Sequence, residues 1–127
     1  ESLMPELSPK IVGLMSTKLD DGLGMFEFLI GSNEEVLLSY KSVRDRLIVT
    51  NKKLLIIDVQ GVTGRKKEYM VLPYSKLTGF SCESAGTFDM DAELKVWASA
   101  INQVEFQFLK GTDIRPLAKV LNEQLCG

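Results

Sequence analysis

Histidine is absent from the 127 residues, and this removes much of the equipment of common enzyme chemistry. Triads that use an imidazole as base are excluded. The usual nitrogen ligand of zinc is missing, and Cys82 and Cys126 form no CxxC pair, so no metal site is expected. The chemistry that remains is mostly charge. Gly61-Val62-Thr63-Gly64-Arg65-Lys66-Lys67 is the one concentration of positive charge in the chain. Cations beside glycine-freed backbone N–H groups can hold a phosphate or a lipid headgroup, and Lys52 and Lys53 could extend such a site. The same residues describe a solvated hairpin. Its glycines would supply positive φ, and its charges would guard a strand edge. The hairpin is the favoured reading and the anion site the alternative. The spacing is not that of a P-loop.

Other constellations carry less. Asp89, Asp91 and Glu93 alternate as calcium ligands sometimes do. An EF-hand loop starting at Asp89 would need glycine where Leu94 stands and glutamate where Ala100 stands, so a polar turn is the better reading. Ser75 and Lys76 are merely adjacent. No spacing singles out an Asp/Glu dyad, and no cofactor is implied. Arg44-Asp45 is read either as a turn-stabilising pair or as a contact between subunits.

The elements that must position these residues fit one domain. A hydrophobic fraction of 45% and a charged fraction of 25% suit a globular chain. The net charge of −2 does not favour nucleic acid or an anionic membrane. No run is long enough to cross a membrane as a helix. No secretory signal is visible, and two cysteines make no disulfide framework. The expectation is a cytoplasmic protein with both thiols reduced.

Leu3, Leu7, Ile11, Leu14 or Met15, and Leu19 recur at helical spacing. Pro5 and Pro9 push the start of a helix to about Ser8 or Pro9, and Gly22 and Gly24 stop it. Residues 1–31 are therefore read as a helical or extended arm, and residues 32–127 as the main body. Seven strand-like runs follow, near 35–41, 46–50, 53–59, 68–72, 77–84, 93–100 and 104–108. Asn51-Lys52 is read as a tight hairpin. Ile114, Leu117, Ala118, Leu121 and Leu125 then form one apolar stripe of a helix, with Thr112 or Asp113 as its cap. That stripe would cover an open end of a β-barrel.

The wording of the strands resembles the bacterial pleckstrin-homology domain family. The resemblance rests on Arg44-Asp45, Thr50-Asn51, Asp58 to Lys66, Leu72-Pro73-Tyr74 and Glu83 to Trp97, in that order. Ser84 stands where threonine is usual. The resemblance implies a seven-stranded barrel of two nearly orthogonal antiparallel sheets with a C-terminal helix in one end. It implies no enzyme activity, and it implies ring-shaped homo-oligomers. Phosphoinositide binding belongs to particular basic loops rather than to that architecture.

Surplus apolar surface points the same way. Leu54–Val59 is apolar on both faces, with Leu55 and Ile57 on one parity and Leu54 and Ile56 on the other. The second face must be covered by the N-terminal segment or by another subunit. Leu37, Trp97 and Leu109 also stand on parities opposite to the core. The expectation is a self-associating interaction module, with Leu55, Ile57, Trp97, Arg44 and Asp45 as interface candidates. The alternative is an anion-binding module using Arg65, Lys66, Lys67, Lys52 and Lys53. A protein partner is conceivable, and membrane or phospholipid contact is not favoured.

Overall fold

The computed structural model describes residues 9–61, 63–83, 91–99 and 103–127. Eight strands appear among them: β1 (Lys10–Ser16), β2 (Val36–Lys41), β3 (Asp45–Thr50), β4 (Lys53–Gln60), β5 (Lys66–Pro73), β6 (Leu77–Glu83), β7 (Ala92–Ala98) and β8 (Val104–Phe108). A short helix α1 (Leu23–Phe26) and a 3-10 turn (Glu27–Leu29) lie between β1 and β2. A second 3-10 turn (Tyr74–Lys76) joins β5 to β6, and helix α2 (Arg115–Cys126) ends the chain. The strands run in the order β5-β4-β3-β2-β1-β8-β7-β6 as one curled sheet. The result is a half-barrel with a C-terminal helix, as expected from the sequence.

Eight strands rather than seven is a correction, and it comes from the arm. The segment read as a helix from Ser8 or Pro9 is instead β1. It pairs antiparallel with β2 and parallel with β8, and so joins the two antiparallel sheets into one. The helical spacing of Ile11 and Leu14 has another cause. Gly13 has φ +76°, and the β1–β8 register shifts between Ile11 and Leu14. That bulge returns Leu14 to the side that Ile11 faces, so two residues three apart are both buried. Leu3 and Leu7 lie outside the described residues.

The main core fills the concave side. Leu47, Val49, Leu54, Ile56, Leu94, Val96, Val104, Phe106 and Phe108 meet Ile11, Leu14 and Tyr40 there. Strict alternation on β7 and β8 buries Ala92, Leu94 and Val96 against Val104, Phe106 and Phe108. Helix α2 closes this core with Ile114, Leu117 and Leu121. Asp113 accepts the backbone N–H of Arg115 at 3.0 Å, and Pro116 stands in the first turn, where no N–H is needed. The Arg115 guanidinium beside Asp113 lowers that carboxyl to about 2.

A second, smaller cluster lies on the convex side. Ile48, Leu55 and Ile57 are fully buried under Phe26, with Leu23, Met25, Leu29 and Ile30 around them. This corrects the placing of Leu55 and Ile57 at a subunit interface. The chain's own α1 segment covers them, because β4 is apolar on both faces and needs a layer on each.

Candidate functional site

Two tight turns stand side by side at one end of the sheet. The β2–β3 turn is built on Ser42, whose hydroxyl oxygen accepts the backbone N–H of Asp45 at 2.8 Å and of Arg44 at 3.3 Å. The β4–β5 turn uses Gly61 and Gly64, with φ of +78° and +70°. The Arg44 guanidinium donates to the Gly61 carbonyl and ties the two turns together. Between them lies a depression of about 360 Å³, with Met25, Val43, Asp45, Val59 and Gly64 in its lining. Val43 at the tip of its turn is fully exposed. Arg46 also lines the depression, and its guanidinium is paired with Asp21 at 2.8 Å.

Asp45 is the unusual group here. It faces Asp58 across β3 and β4, and Asp58 in turn faces Glu68 on β5. Burial pushes the Asp45 carboxyl above its ordinary value, and the Asp58 charge pushes it further. A carboxyl whose value is raised on folding stabilises the fold only while protonated, and that contribution is lost as the pH rises. Asp45→Asn therefore should stabilise the fold at pH 7, by on the order of 0.5 kcal/mol after solvent screening, and so raise the melting temperature. At pH 3 the two proteins should melt alike. A thermal melt at both pH values checks this, and an unchanged or lower melting point at pH 7 contradicts it.

The basic residues do not converge. Arg65 and Lys66 are exposed at the β4–β5 turn, and Lys67 is half-buried. Lys52 and Lys53 stand at the other end of β4, since Lys53 pairs with Pro73 and Gln60 pairs with Lys66. Seven steps of about 3.3 Å put roughly 23 Å between those ends. Lys53 is also committed elsewhere: its ammonium meets Glu34 at 2.8 Å and donates to the Leu29 carbonyl. An anion site that includes Lys52 and Lys53 is corrected on both counts. What remains is Arg65 and Lys66, both exposed where the β4–β5 turn enters β5, next in sequence to Gly64 of the depression's lining. They have no carboxylate partner among the described residues.

No Arg44–Asp45 ion pair forms among the described residues; each side chain faces the neighbouring strand or turn instead. Trp97 is half-buried on β7, opposite Gly79 of β6. Asp91 and Glu93 enter β7 at its start, and Asp89 lies outside the described residues. No group of three His, Cys, Asp or Glu side chains suited to a metal occurs among the described residues. Cys82 and Cys126 are both exposed and unlinked. No helix is long and apolar enough to cross a membrane among the described residues.

Another surface was not singled out by sequence reasoning. Phe28 is 68% exposed and packs edge-to-face on Tyr69 at 5.2 Å. Val71 stands two residues along β5 on the same face as Tyr69, and is 40% exposed. This apolar strip borders β5, whose only strand partner among the described residues is β4. At the other end of the sheet, β6 pairs only with β7 among the described residues. The signal available was Phe28 itself: it alternates with Phe26, so the two rings leave opposite sides of the α1 segment.

A curled sheet closed by a C-terminal helix, with paired turns at one end, defines a pleckstrin-homology-like module. The sequence model described as "Bacterial PH domain" matches residues 8–125, and the chain belongs to that family. It is 43% identical over 90 residues to the Bacillus subtilis (strain 168) protein YjqA, covering 69% of this chain and 72% of that one. It is 29% identical over 115 residues to YozO of the same strain, covering 91% and 99%. A crystal structure of a protein with a pleckstrin-homology domain from Shewanella loihica superposes with a TM-score of 0.77 at 39% identity, covering 89% of this chain and 97% of that chain. A pleckstrin homology domain from Shewanella amazonensis gives 0.69 at 39% identity, covering 89% and 92%.

Proposed function

We propose that this protein is a non-enzymatic interaction module that associates with copies of itself. The observation that carries the reading is the apolar strip of Phe28, Tyr69 and Val71 beside the open edge of β5. Exposed strand edges invite pairing with another chain, and an aromatic strip beside one adds apolar area to the contact. The two edges also complement each other. If β5 of one copy ran antiparallel to β6 of the next, the basic start of β5 (Lys66, Lys67) would meet the end of β6 at Glu83, and Tyr69 would fall near Phe80. A contact between two different edges is head-to-tail, which repeats into a ring when the rotation closes.

Light scattering after size exclusion tests this, at dilute and high protein and at low and high salt. A multiple of the 14.2 kDa chain mass is expected in all four conditions, because an apolar contact is not screened. Phe28→Ser with Val71→Lys should lower the mass to that of one chain. A single monomer mass for the wild-type protein under every condition removes the reading.

Arg65 and Lys66, exposed together beside the β4–β5 turn, favour a second reading, an anion-binding module. Co-sedimentation with vesicles rich in anionic lipid separates the two. Binding that vanishes on changing Arg65, Lys66 and Lys67 to alanine would promote it; no binding by the wild-type protein would leave self-association alone.

A further inference from the structure

The layer over the convex side of the sheet is attached in a way that the rest of the fold is not. Between residues 20 and 34 the turn hydrogen bonds of the backbone join residues three apart: Leu23 to Asp20, Met25 to Gly22, Ile30 to Glu27 and Glu34 to Gly31. None of these reaches a strand. The ties to the sheet are side chains. At one end Arg46 of β3 holds the Asp21 carboxylate at 2.8 Å and its carbonyl at 3.1 Å, with Lys41 of β2 at 3.4 Å. At the other end Lys53 of β4 holds Glu34 at 2.8 Å and reaches the Leu29 carbonyl, and the Thr50 hydroxyl donates to Glu34. Midway, the Tyr69 hydroxyl donates to the Met25 carbonyl at 3.2 Å.

Packing divides at the same boundary. No residue of 20–34 belongs to the main core on the concave side, and the two clusters share no side chain. Lifting the layer would therefore cost the smaller cluster and the clamps, and would leave the strand ladder and α2 intact. Segments of this kind open below the global unfolding free energy.

We propose that residues 20–34 are a detachable strap, which leaves the sheet as one unit when its two carboxylate clamps are neutralised and uncovers the apolar face of Ile48, Leu55 and Ile57 while the barrel stays folded. Gly22 is the hinge at the first clamp. Its φ is +74°, which favours glycine, and a Cβ there would stand 2.6 Å from the Arg46 guanidinium carbon and push that side chain out of its present position.

The pH dependence follows from the groups that face each clamp. Arg46 and Lys41 face Asp21, and the Arg46 hydrogen bond is the main force holding that carboxyl below its ordinary value. Lys53, Thr50 and Tyr74 face Glu34. Burial pushes Glu34 up, but the Gly31 N–H, Lys53 and Thr50 together bring it below its ordinary value. Carboxyls lowered on folding stabilise the closed strap fully above their unfolded values, about 4, and lose that contribution as the pH falls through the lower folded values. Acid opens the strap; neutral pH closes it.

Hydrogen exchange read by mass spectrometry on the full chain tests the proposal. At pH 7, Asp21→Asn and Glu34→Gln should each speed exchange in peptides within 20–34 by about tenfold or more, with β6, β7, β8 and α2 unchanged. The double variant, and the wild-type protein near pH 3, should bind a dye that reports exposed apolar surface, reversibly and with the far-ultraviolet spectrum retained. Should the double variant fail to fold, the wild-type acid series decides alone: strap peptides must lose protection before barrel peptides, at matched intrinsic exchange rates. Protection lost everywhere together, or a strap that exchanges at the same rate in variants and wild type, overturns the proposal.

Discussion

Deleting residues 113–127 should leave a chain that does not accumulate as folded protein. Helix α2 is not an appendage. Ile114, Leu117 and Leu121 are part of the main core, and Val120 and Leu125 pack against it. Without them the concave face opens to water beside the turn Tyr74–Lys76 and β6. Milder changes should report the same dependence. Leu117→Ala or Leu121→Ala, each at a fully buried site, should cost about 2–5 kcal/mol. A domain of this size has about 5–15 kcal/mol in total. Urea unfolding followed by circular dichroism measures both, and a truncated chain with a normal cooperative transition would contradict the role assigned to the helix.

Phe108→Ala should be about as damaging, at about 3–5 kcal/mol. The ring is fully buried and packs edge-to-face on Tyr40 at 5.2 Å. Its position depends on the added strand: Phe108 pairs with Leu14 of β1 on one side and with Ala92 of β7 on the other. Phe28→Ala, by contrast, should change the unfolding free energy of the chain by less than about 1 kcal/mol, because the ring is mostly exposed. Denaturant unfolding of the two variants side by side separates a core aromatic from a surface one. A Phe108→Ala loss below about 1 kcal/mol would mean that β1 and β8 are not packed as described.

Much of this fold was legible because its signals are local. Period-two alternation marks β7 and β8, where Leu94, Val96, Phe106 and Phe108 face one side. The stripe of Ile114, Leu117 and Leu121 marks α2, and the apolar second face of β4 announced that a cover was needed. The sequence left open whether that cover was the same chain or another, since burial of Leu55 and Ile57 looks alike in either case.

What the sequence by itself determined was a barrel with a helical cap and without a histidine-based site. What only the tertiary structure decided was partnership. Leu3 to Leu19 carried a helical period, yet Lys10–Ser16 is a strand. The Gly13 bulge places Ile11 and Leu14 on one side, and the pairing with β8 comes from some ninety residues away in the chain. Arg65 to Lys67 and Lys52-Lys53 looked like one basic group, but β4 holds them at its opposite ends, and Lys53 is turned inward to Glu34. Asp45, Asp58 and Glu68 became neighbours only through strand register. Spacing along the chain fixes which face a side chain takes. Which charges meet across the sheet is set by register and by the layers that fold back over it, and those depend on contacts far apart in sequence.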